Sequence, residues 1–131
     1  MKFFDTDIIS YYFNGNRKIQ EKLLEMVDNN ENISITVINT YEILKGFKWK
    51  NNLKKENQFK EFLEDVFEFS IDGEVIDIAS DIYAKLRKNG KTISDADILI
   101  AAIVIKNNGI LVTNNTMHYN GIEQLRIENW L

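Results

Sequence analysis

Short apolar runs alternate along the chain with longer stretches in which apolar residues recur every third or fourth position. The first pattern marks buried strands and the second marks amphipathic helices. Lys2 to Asp5 predicts a short buried strand ending in an acid. Asp7 to Phe13 and Arg17 to Val27 predict helices, separated by the turn-forming Asn14-Gly15-Asn16. In the second helix Ile19, Leu23, Leu24 and Val27 share one side. Ile33 to Thr36 predicts a strand, and Val37 to Phe47 a helix with Val37, Ile38, Tyr41, Leu44 and Phe47 inward. Asn52 to Val66 is amphipathic through Leu53, Phe59, Phe62, Leu63 and Val66. Phe67 to Ile71 predicts a third strand. Glu74 to Lys88 predicts a helix stopped by Gly90. Ser94 to Lys106 reads as a buried helix, Gly109 to Thr113 as a fourth strand, and Leu125 to Glu128 as a fifth.

Strands separated by helices predict a parallel α/β sheet, because each parallel pair needs a crossover connection. Such sheets place their sites at the carboxyl ends of the strands. The 131 residues carry no repeat or low-complexity linker and predict one domain spanning 1–131.

Composition narrows the chemistry. The absence of cysteine excludes disulfides, thiolate metal sites and a cysteine nucleophile. A single histidine excludes a multi-histidine zinc site. The net charge of −4 does not suit a protein that coats phosphates over its whole surface. The longest apolar run, Ile98 to Ile105, is far short of the roughly 20 residues of a membrane helix. These features predict a soluble, cytoplasmic protein with no membrane partner.

Three acids stand where elements meet. Asp5 closes the first strand, Glu42 borders the buried stripe of the helix after the second, and Asp97 lies in the first turn of the apolar helix beginning near Ser94. Each has an ordinary explanation as a helix cap or a solvated residue. Brought together, they would repel unless a cation lay among them. Oxygen ligands without cysteine point to a hard ion, Mg²⁺ or Mn²⁺, which acidifies water and stabilises charge on phosphate.

The ordered set of motifs resembles the PIN-domain nucleases. Phe4-Asp5-Thr6-Asp7-Ile8-Ile9 is similar to their opening, and the segment from Ile35 through Glu42 to Gly46 to their second motif. Ile93-Ser94-Asp95-Ala96-Asp97-Ile98 resembles the third, and Gly109 through Thr113-Asn114-Asn115 to Tyr119 the fourth. The ending, from Ile122 through Leu125-Arg126-Ile127-Glu128-Asn129-Trp130, resembles VapC-like toxins of type II toxin–antitoxin pairs. The resemblance implies a three-layer α/β/α sandwich around a parallel sheet. It also implies a Mg²⁺- or Mn²⁺-dependent endoribonuclease that cleaves structured RNA, forms a homodimer and is held by a VapB-type antitoxin. It assigns Asp5, Glu42 and Asp97 as metal-binding, catalytic acids, with Thr6, Asp95, Thr113 and Asn115 supporting them. The chain departs from the pattern at Asn114 and Asn115, where many members carry a fourth acid, so a second ion is not implied. That departure leaves open an alternative, a non-catalytic PIN module binding RNA or protein.

His118 reads as an exposed loop residue. Charge is uneven: Lys45, Lys48, Lys50, Lys54, Lys55 and Lys60 stand against Glu56 alone, with Trp49 among them. Lys48, Trp49, Lys50, Lys54 and Lys55 form a candidate RNA-binding stretch, with a solvated helical face and an antitoxin groove as its other readings.

Overall fold

The computed structural model describes residues 1–131. Five parallel strands form one sheet: β1 (Lys2–Phe4), β2 (Ile33–Thr36), β3 (Phe67–Phe69), β4 (Ile110–Val112) and β5 (Arg126–Glu128). Their spatial order is β3-β2-β1-β4-β5. The chain builds outward from β1 to β3, then returns to the other side of β1 for β4 and β5. The order therefore reverses between β1 and β4, and the carboxyl ends of these strands flank the crevice where open α/β sheets hold ligands.

Helices supply every crossover. α1 (Thr6–Phe13) and α2 (Arg17–Asp28) join β1 to β2; α3 (Val37–Trp49) and α4 (Leu53–Leu63) join β2 to β3. α5 (Gly73–Lys88) and α6 (Asp95–Lys106) join β3 to β4, and α7 (Thr116–Tyr119) joins β4 to β5. Side chains alternate across the sheet. Phe4 and Val112 face one core with Ile8, Ile19, Leu23, Ile43 and Phe59; Phe3 and Leu111 face the other with Ile82, Ile100, Ile103 and Tyr119. This is the three-layer sandwich that the motifs imply. α6 is apolar nearly all round because it lies between the sheet and α5, with Ile98 and Ile100 to Val104 buried. Gly109 sits so close to Phe3 that a Cβ there would lie 2.7 Å from the ring, so the entry to β4 needs glycine.

The elements fall where the periodicity places them, with four differences. In α2, Ile19, Leu23 and Met26 face the core, while Leu24 and Val27 are 62% and 54% exposed. They flank an apolar groove shared with Phe62 of α4, because the i, i+4, i+7 row is the one the sheet covers. Tyr41 and Leu53 are also exposed, whereas the polar Asn39 is fully buried. α4 stops at Leu63, short of the expected Val66. The single turn α7 has too little apolar periodicity to be read in advance.

Candidate active site

Asp5 follows β1 directly and caps α1, its Oδ1 accepting from the Thr6 backbone N–H at 2.9 Å. An aspartate is favoured at a helix N-cap, so the local sequence alone fixes this geometry. Across the strand-order reversal, the Thr113 hydroxyl at the end of β4 donates to Asp5 Oδ2 at 2.8 Å. Thr113 Oγ1 also accepts from the Asn115 backbone N–H at 3.0 Å, which folds the loop back over the carboxylate. Both Asp5 and Thr113 are buried.

Thr36 ends β2 and forms a capping box with Asn39 in the first turn of α3. Asn39 Oδ1 accepts from the Thr36 N–H and hydroxyl, so its amide nitrogen is aimed toward α1. That nitrogen donates to Thr6 Oγ1 at 3.0 Å and, at 3.4 Å, to Asp5 Oδ1. Thr6 in turn donates to Glu42 Oε1 at 2.7 Å. A continuous chain of hydrogen bonds thus runs from β2 through Asn39 and Thr6 to Glu42, and each link polarises the next.

Asp97 is held from the other side. Ser94 caps α6 and donates to Asp97 Oδ2 at 2.9 Å. His118 Nε2 lies 2.6 Å from the same oxygen, and the Tyr119 hydroxyl donates to Oδ1 at 3.1 Å. Burial and the nearby charges of Asp5 and Asp97 push the Tyr119 phenol well above its ordinary range, so it stays a donor.

Burial raises Asp5 from 3.8 to about 6, and the charges of Asp7 and, more weakly, Asp97 add to it. Asp7 is also raised, chiefly by burial, and its Oδ2 accepts from the Asn114 backbone N–H at 3.0 Å. No lysine or arginine pairs with Asp5, Asp7, Glu42 or Asp97; the one partner among them able to carry positive charge is His118 on Asp97. No three histidine, aspartate or glutamate side chains form a finished cation cage. The carboxylate donors are nonetheless all oxygen, buried in part and unpaired with lysine or arginine, which suits a hard divalent cation.

The structure therefore links Asp5, Thr6, Glu42, Thr113 and Asn115 in one hydrogen-bonded unit, with Asp97 close enough to raise Asp5. Asp95 is exposed and makes no side-chain hydrogen bond in the site. His118 is not an exposed loop residue: the turn of α7 carries it onto Asp97. Sequence reasoning also missed Asn39, Asp7 and Tyr119. The spacing Thr36-x-x-Asn39 was the available signal for Asn39. Asp7 brings to the β4–α7 loop a carboxylate that Asn114 and Asn115 lack, but only the fold makes that visible.

The basic stretch runs from the last turns of α3 into α4. Trp49 is seven residues beyond Glu42, about 10 Å farther along α3. It is 86% exposed. Lys48 and Lys60 both pair with Glu56, and Lys55 bonds Asn14 at 2.8 Å. Lys50 and Lys54 have no such partner.

Residues 2–121 match the model of the PIN domain. The chain belongs to the PIN-domain family. It is 32% identical to Ribonuclease VapC2 of Rickettsia felis, covering 96% of this chain and 95% of that one. It is 32% identical to Ribonuclease VapC1 of Methanocaldococcus jannaschii, covering 95% and 82%. Among solved structures, the VapBC2 complex of Rickettsia felis bound to a DNA fragment from its promoter superposes with a TM-score of 0.90. That match has 26% identity over 99% of this chain and 98% of the other. VapBC of Salmonella typhimurium shares the fold at a TM-score of 0.87 and 21% identity, covering 99% and 98%. No helix is long and apolar enough to cross a membrane.

Proposed function

We propose that this PIN domain is the toxin of a toxin–antitoxin pair, an endoribonuclease that hydrolyses phosphodiester bonds of structured RNA in the cytoplasm. The observation that carries the reading is the Asp5–Thr113 bond at the strand-order reversal, linked through Thr6 to Glu42 and flanked by Asp97. Asp5 is buried, Glu42 and Asp97 are half-buried, no lysine or arginine pairs with them, and VapC ribonucleases are relatives over nearly the whole chain.

In this reading Asp5, Glu42 and Asp97 hold Mg²⁺ or Mn²⁺. Bound there, the ion supplies Lewis acidity toward a phosphate oxygen and acidifies water. The chain supplies orientation. Thr113 and the Thr6 N–H fix both oxygens of Asp5; Asn39 and Thr6 turn Glu42; Ser94, His118 and Tyr119 fix Asp97. A carboxylate raised to about 6 and lacking a cation is poised to gain more from an ion than a solvated one would. Asn115 seats the loop over Asp5 through its backbone rather than through its side chain. Asp95 stands at the rim.

A VapB-type antitoxin is the proposed partner, and a homodimer the proposed state of the toxin. Lys50, Lys54 and Trp49 are available to RNA backbone and bases where α3 turns into α4, with Lys48 and Lys55 less so because they are already bonded. The test is growth of cells on induced expression. The parent arrests growth; Asp5→Ala and Asp97→Ala do not, while both still bind the antitoxin. Equal arrest by both variants would overturn the assignment.

A further inference from the structure

A cleft opens beside Asp97. It has a volume of about 280 Å³ and lies between the α5–α6 loop and α7, lined by Lys91, Thr92, Ile93, Met117, His118 and Gly121 among others. His118 is shared: one face of its ring lines the cleft while Nε2 contacts Asp97. The cleft is thus one side chain away from the candidate catalytic carboxylates.

Its lining has three features of a nucleotide site. Lys91 is the single basic group there besides His118 and has no carboxylate partner. It lies flat across Gly121, where a Cβ would come within 3.2 Å of its Cδ and 3.1 Å of Leu86; glycine keeps this wall open. Ile93 and the 79% exposed Met117 offer an apolar, polarisable surface for the face of a base. The second ring nitrogen of His118 makes no bond within the protein and is left for the base or sugar edge. The volume is at the small end of the roughly 300–1,000 Å³ of small-molecule sites, room for one nucleotide and too little for a folded peptide segment.

We infer that this cleft receives one nucleotide of the RNA next to the bond that is cut, with Lys91 on its phosphate and Met117 and Ile93 under its base. The inference rests on the endoribonuclease reading and adds to it the element that selects sequence around the cut.

The test uses a fluorescent RNA hairpin with a single-stranded loop, with binding measured in EDTA and cleavage measured in Mn²⁺. Lys91→Gln removes one phosphate contact; Thr92→Trp fills the cleft from an exposed position; Lys18→Gln, on the exposed face of α2, controls for charge loss. Lys91→Gln should weaken binding about five-fold. It should also reduce the magnitude of the log K against log salt slope by about 0.7, while Lys18→Gln changes neither. Both cleft variants should raise KM and leave kcat within about two-fold, the pattern of lost binding rather than lost chemistry. Thr92→Trp should also blunt the nucleotide preference beside the cut in a randomised RNA pool. Parent-like affinity, slope and cutting pattern in both variants would overturn the cleft while leaving the nuclease reading intact. A parent that neither binds nor cuts RNA would overturn both.

Discussion

Asp5→Asn should stabilise the ion-free protein at neutral pH, and by an amount the structure bounds. Burial raises Asp5 from 3.8 to about 6. Below pH 3.8 the carboxyl is protonated in both folded and unfolded chains and contributes nothing. Between 3.8 and about 6 the unfolded chain releases the proton while the folded chain retains it, so stability falls as pH rises. Above 6 the full cost applies, roughly two pH units or about 3 kcal/mol. Asparagine removes the charge and still caps α1. Its amide reverses the bond to Thr113 instead of breaking it, since Thr113 Oγ1 can accept. Allowing for one rearranged hydrogen bond, the net gain at pH 7.5 is about 2 kcal/mol. For a chain of this length that is a rise in Tm of roughly 7 °C. The assay is thermal unfolding of both proteins in EDTA at pH 7.5 and pH 4.0. The gain should shrink toward zero at pH 4.0. An Asp5→Asn protein no more stable than the parent at pH 7.5, or equally stabilised at both pH values, would refute the reasoning.

Mn²⁺ at 100 times its Kd should stabilise the parent by about 2.7 kcal/mol and Asp5→Asn far less, readable as a Tm shift of roughly 10 °C that the variant lacks. Asp97→Asn should instead lose about 1–2 kcal/mol without metal, because Ser94, His118 and Tyr119 surround its carboxylate with donors that an amide cannot all satisfy. Changing Lys48, Lys50, Lys54 and Lys55 together to Gln should lower the magnitude of the salt slope of RNA binding by no more than about 1.4, not 2.8. Only Lys50 and Lys54 are free of protein partners, and each phosphate contact is worth about 0.7.

The carboxylates of the candidate site were legible from their places along the chain: Asp5 after Phe3-Phe4, Asp97 after the Ser94 cap, Glu42 four residues after Ile38 on the edge of its stripe. What the sequence could not supply was their relation. Asn39 looked like any polar residue on a helix, yet burial and the Thr36 box turn its amide into the link between two carboxylates. Repulsion among the acids was legible, but not which of them bears it: three donors surround Asp97, so the cost falls on the buried Asp5. His118 lies in a segment with no periodicity, so only tertiary packing could bring it to Asp97. In α2, spacing put Leu24 and Val27 on the apolar side together with Leu23, but the sheet covers one row of a helix and leaves the next row in a groove. The basic stretch follows Glu42 in sequence, but the 1.5 Å rise per residue of α3 puts Trp49 about 10 Å beyond it, and Lys54 and Lys55 stand on α4.

Metal-dependent RNA cleavage by the carboxylate cluster is the central claim, and one measurement addresses it most directly. An end-labelled structured RNA is incubated with the purified parent, Asp5→Ala and Asp97→Ala, each in Mn²⁺ and in EDTA, and the fragments are resolved. Discrete fragments are expected from the parent in Mn²⁺ and none in EDTA. Both variants should show at least a hundred-fold slower cleavage while keeping the parent's fold by circular dichroism. Cleavage by the parent in EDTA, or by either variant at the parent's rate, would contradict it.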